Sequence, residues 1–117
     1  MARKFILHKR EDNPVLGMVF GNVDYHENLL SQVTPNIKRD DVTGGGWFHV
    51  DSEKKEVILF GLSVDFGPFL RLNTEGEILE ACKQSSFFTL LDNHTVRLSS
   101  AIKFEELEKS FSKVFTI

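Results

Sequence analysis

His26 is the residue of this chain whose neighbours best equip it for chemistry. It follows Asp24-Tyr25 and precedes Glu27, and the spacing of Leu29, Leu30 and Val33 predicts a helix from about Asp24 to Val33. Asp24 suits the N-cap, with Glu27 three residues on at capping-box spacing. Early in a helix, a histidine lies beside the positive end of the helix dipole, which disfavours imidazolium. A ring kept neutral near pH 7 can act as a general base or a nucleophile. First-turn N–H groups would also favour an anion next to it. The plain alternative is an ordinary surface histidine.

A second feature is the glycine-bracketed loop Gly61-Leu62-Ser63-Val64-Asp65-Phe66-Gly67-Pro68. A strand that empties into such a loop can hold an anion on successive backbone N–H groups. Ser63 would add a hydroxyl donor, and the glycines permit a sharp turn at positive φ. The alternative is a tight crossover loop, since neither a Walker motif nor a dinucleotide fingerprint is present. Lys4 would add a cation if its strand lay next to this loop. Otherwise it is a solvated lysine. His8, His26, His49 and His94 show no pair at metal-ligand spacing, and Cys82 is the single cysteine, so no metal or other cofactor is expected. Cys82 reads as a small core residue.

The elements that must position these groups follow from pattern. Residues 3–8 alternate as a first strand, with Phe5 and Leu7 on one side and Lys4, Ile6 and His8 on the other. Val15 to Phe20 predicts a second strand. Gly44-Gly45-Gly46 reads as a flexible lead-in or a close backbone approach. Trp47 to Asp51, a turn at Ser52 to Lys55, and Glu56 to Phe60 predict a hairpin, whose apolar run Val57 to Phe60 fits a central strand. Phe69–Leu72, Ile78–Cys82 and Phe87–Leu91 are strand-like, and Val96–Leu98 returns from a turn. Phe104, Leu107 and Phe111 form the stripe of a closing helix, and Lys113–Ile117 reads as a final strand.

The bulk composition bounds the function. A chain of 117 residues with 41% hydrophobic content makes one globular domain, 1–117. Its 11 Phe predict a core filled by aromatic rings rather than by a cofactor. With 14 basic and 17 acidic residues it gives no electrostatic case for nucleic-acid binding. No run approaches the ~20 apolar residues of a membrane span, and no secretory signal opens the chain. A soluble cytoplasmic protein is expected. Composition leaves the oligomeric state open.

Three blocks together resemble the Janus/Ocnus family of phosphohistidine phosphatase-like proteins. They are Lys4-Phe5-Ile6-Leu7; Asp24-Tyr25-His26 with its helix; and Gly44-Gly45-Gly46 through His49, Lys54-Lys55, Phe60-Gly61-Leu62-Ser63 and Phe66-Gly67-Pro68. The resemblance implies a single α/β domain, a mixed sheet flanked by the His26 helix and the Phe104 helix. Residues 69–98 would be an extra β insertion, and Phe104 to Ile117 the family's ending. It implies metal-independent phosphoryl transfer with His26 as base or nucleophile, Lys4 as phosphate clamp, Ser63 with the N–H groups near Val64 and Asp65 as anion cradle, and Tyr25 bordering the pocket. The partner would be a phosphorylated protein or peptide. Three features depart from the family's enzymes: Trp47 stands where they usually carry arginine, Asp65 where they carry a small residue, and no arginine precedes the His26 helix at the family's position. The site thereby loses positive charge and gains a carboxylate. The alternatives are a non-catalytic relative that binds a phosphorylated or acidic partner or another ligand in the same pocket, and a protein–protein module built on the Phe-rich stretch from Phe69 to Leu98.

Overall fold

The computed structural model describes residues 2–33, 35–89 and 93–99. The expected helix and strand between Phe104 and Ile117 lie outside the described residues. Strand β1 (Ala2–Arg10) pairs antiparallel with β2 (Asn13–Val23) on one side and with β3 (Val42–Asp51) on the other. β3 turns through Ser52–Lys55 into β4 (Glu56–Phe60), as the hairpin pattern predicts. Two short strands, β5 (Leu62–Ser63) and β6 (Gly67–Pro68), form a small hairpin that returns Pro68 to pair with Gly45 of β3. Helix α1 (Glu75–Gln84) and the short α2 (Ser86–Thr89) then carry the chain to β7 (Thr95–Ser99), which runs parallel to β4. The order across the sheet is β2-β1-β3-β4-β7. This is a mixed α/β domain. Its one long parallel pair needs a crossover, and α1 supplies it.

Alternation in β1 sorts the two cores as the sequence predicts. Phe5 and Leu7 enter a cluster with Phe48, Val50, Val57, Leu59, Phe69 and the α1 residues Ile78, Ala81 and Cys82. Ile6 faces the other way, into a smaller cluster with Val19, Leu29 and Phe66. The larger cluster is built on aromatic rings: Phe5 meets Phe69 edge-on at 5.4 Å, and Phe20 stacks on Phe87 at 4.5 Å. Burial pushes the Cys82 thiol up to about 12, so it stays a protonated core group at neutral pH.

The stretch from 69 to 89 corrects the expectation of extra strands. Phe69–Leu72 is a run of turns and bends, Ile78–Cys82 lies within α1, and Phe87 lies in α2. The sequence carries the helix signal. Thr74 Oγ1 accepts from the Glu77 N–H, and Glu77 Oε1 accepts from the Thr74 N–H, a capping box. Ile78, Ala81 and Cys82 then repeat at helical rather than strand spacing. The face opposite the His26 helix is thus covered, among the described residues, by α1. Val96–Leu98 is a strand, as expected.

Candidate functional site

His26 opens a 3-10 helix, His26–Ser31, one residue later than the Asp24 N-cap predicts. Tyr25 occupies the cap position. Its N–H donates to Asn28 Oδ1 at 2.9 Å, while Glu27 pairs with Arg39 at 3.1 Å. Six residues of 3-10 helix supply little of the dipole expected to keep His26 neutral. Burial does that instead. The side chain is 4% exposed, and desolvation, joined by the charge of Lys4, holds the imidazole below its usual value against the opposing pulls of the Gly46 carbonyl and Asp65.

The ring is also oriented. His26 Nε2 lies 2.7 Å from the Gly46 carbonyl oxygen of β3. A carbonyl only accepts, so Nε2 carries the proton and the neutral ring keeps its lone pair on Nδ1. Gly45 leaves room for this arrangement. A Cβ there would stand 2.7 Å from the Phe5 carbonyl oxygen, 3.1 Å from His26 Cδ2 and 3.2 Å from Ser63 Cβ. The glycine run is therefore strand, with the backbone close to the histidine, rather than a flexible lead-in.

Lys4 lies on the same side of the sheet. It is 8% exposed, and its ammonium donates to the Asp24 carbonyl oxygen. It also sits 4.9 Å from the centroid of the Trp47 ring and 5.8 Å from that of Tyr25, within the range of cation–π attraction. Trp47 is the cross-strand partner of Lys4 and of Phe60, and its ring meets His26 edge-on at 6.3 Å. Gly61, at φ 71°, lets the chain turn away from β4 where a Cβ would come within 2.8 Å of Trp47 Cδ1.

These groups surround a pocket of about 340 Å³ lined by Lys4, Asp24, Tyr25, His26, Trp47, Leu62, Val64 and Asp65. Five expected site residues, Lys4, Tyr25, His26, Val64 and Asp65, are thereby brought together. Ser63 is not among the lining. Its side chain is 1% exposed, and its Oγ accepts the Phe66 N–H at 3.1 Å, which closes the turn between β5 and β6. The hydroxyl thus shapes the loop from beneath the pocket lining. Asp24 is lining that the sequence reading does not anticipate, while Leu62 belongs to the loop it singles out and Trp47 to the positions at which it finds the site altered. The alternation of β3, with Gly45, Trp47 and His49 on one face, was the signal available for Trp47. The Gly46 carbonyl had none, because a backbone acceptor leaves no trace in residue type.

Among the described residues, no group of three or more His, Cys, Asp or Glu is arranged to hold a metal ion. No helix among them is long and apolar enough to cross a membrane. Comparison with known families matches residues 4–86 to the model of the Janus/Ocnus family (Ocnus). The match runs through α1. No curated protein matches the chain.

Proposed function

The chain belongs to the Janus/Ocnus family, and from that premise we propose that it is a phosphohistidine phosphatase-like protein that hydrolyses a phosphoryl group at His26 without a metal. One observation carries this reading: the neutral, buried imidazole whose Nε2–H is tied to Gly46, which leaves Nδ1 as the lone-pair nitrogen of a pocket-lining ring. As a base, Nδ1 takes a proton from water while the water oxygen bonds to phosphorus and the bond to the leaving nitrogen breaks. As a nucleophile, it bonds to phosphorus while the bond to the leaving nitrogen breaks and that nitrogen keeps the electron pair; in a second step water attacks and the Nδ1–phosphorus bond breaks, releasing phosphate. Lys4 and the backbone N–H groups of the Val64–Asp65 turn would offset charge on the phosphoryl oxygens.

Asp65 favours a second reading, binding without turnover. It lines the pocket beside His26 and would oppose the close approach of a phosphoryl group to the imidazole that hydrolysis needs, which binding at the rim does not. An assay of inorganic phosphate release from a phosphohistidine peptide separates the two. Release by the wild type above the spontaneous rate, lost in His26→Ala, supports the enzyme. Equal background rates for both proteins overturn it. Tight binding of the phosphopeptide without release supports the second reading.

A further inference from the structure

The charges around the pocket are not evenly available to a ligand. The Lys4 ammonium is already engaged by the Asp24 carbonyl and by the faces of Trp47 and Tyr25. Asp65 is different. It stands exposed in the turn between β5 and β6, and it makes no ion pair among the described residues. The cations nearest its neighbour Phe66 are committed elsewhere. Arg39 covers the Phe66 ring at 4.9 Å but pairs with Glu27 at 3.1 Å, and Arg71 donates to the Phe66 carbonyl oxygen at 3.4 Å. The Lys4 ammonium thus has only neutral partners, and the Asp65 carboxylate stands on the same rim with no ion pair among the described residues, although the proposed ligand group is an anion.

We propose that the ligand of this pocket is a phosphopeptide with a basic residue beside its phosphorylated side chain, and that Asp65 selects it by pairing with that cation. The proposal rests on the phosphoryl-ligand reading above and explains how a carboxylate can stand in such a pocket. The phosphoryl group takes the Lys4–His26 end, and the neighbouring Lys or Arg answers Asp65. A ligand with an acidic neighbour sets two like charges together and is rejected, so the same residue attracts one class and repels the other. Around this charge pair, Tyr25, Leu62 and the 93%-exposed Val64 form an apolar rim that a peptide's neighbouring side chains can cover.

The test uses three peptides carrying phosphoryl-triazolylalanine, a hydrolysis-resistant phosphohistidine mimic, flanked on both sides by Lys, by Ala or by Glu. Each is titrated by calorimetry into wild type, Asp65→Asn and Asp65→Lys at 0.15 M and 0.5 M salt. An exposed pair predicts that the wild type binds the Lys-flanked peptide about threefold tighter than the Ala-flanked one. The preference shrinks at high salt. It vanishes in Asp65→Asn and reverses toward the Glu-flanked peptide in Asp65→Lys. The same ranking in all three proteins, or no ranking in the wild type, overturns the proposal while leaving the phosphoryl-ligand reading intact. Unphosphorylated peptides binding as well as phosphorylated ones would remove that reading, and this inference with it.

Discussion

At the scale of single residues, the pocket sets an aromatic ring beside its cation. The face of Trp47 lies against the Lys4 ammonium, its centroid 4.9 Å away. Trp47→Arg should therefore act in two directions. It adds a cation to the pocket, and one exposed charge interaction of up to ~1 kcal/mol lowers KM for a phosphohistidine peptide by up to about fivefold. It also places two like charges in direct cross-strand register, since Lys4 pairs with position 47. Steady-state kinetics and thermal melting should show lower KM together with lower Tm. An unchanged KM would mean that charge at position 47 does not reach the ligand. That His26 and Lys4 line one pocket was legible from the place of His26 at a helix start and from the family resemblance that joins it to Lys4. Their geometry was not, because the orienting acceptor is the Gly46 carbonyl and the ammonium's partners lie on two other elements.

At the scale of elements, strand periodicity was readable and helix placement was less so. The alternation in β1 and the hairpin of β3 and β4 appear where the sequence puts them, because a buried face fixes register strongly. Gly44 to Gly46 hid the first half of β3, since glycine has low strand propensity, while its actual use is close packing. α1 was obscured by its mixed run Ile78 to Cys82, in which tertiary burial and the Thr74 cap override a strand-like look. The packing at Gly45 yields a prediction at this scale. Gly45→Ala forces a Cβ against the Phe5 carbonyl, His26 and Ser63. Overpacking of this kind costs about 1–3 kcal/mol, read as a lower urea midpoint. Because His26 Cδ2, at 3.1 Å, is one of the crowded groups, the proposed phosphate release should fall further than the loss of folded protein accounts for. Full activity at normal stability would show that the β3–His26 contact does not set the site.

At the scale of the whole molecule, burial of histidine couples the site to pH. His8, His26 and His49 all sit below the usual histidine range, each chiefly through desolvation. Their folded-state values are depressed, so the unfolded chain binds protons first. Stability is highest above the ordinary histidine value of about 6.5 and falls as pH drops through it toward the folded values. Urea midpoints at pH 7.5 and 5.5 should show the acid-side loss, and His49→Gln should reduce it; a midpoint that rises on acidification contradicts the assignment. The sheet holds the His26 ring by its Nε2, through the Gly46 carbonyl, which leaves Nδ1 the lone-pair nitrogen. The most direct test of the account is therefore an NMR measurement of the His26 ring nitrogens at pH 7, before and after adding a phosphoryl-triazolylalanine peptide. The account predicts a neutral ring with the proton on Nε2, and a shift at Nδ1 when the phosphopeptide binds. A ring that is charged, or protonated on Nδ1, or indifferent to the phosphopeptide would contradict it.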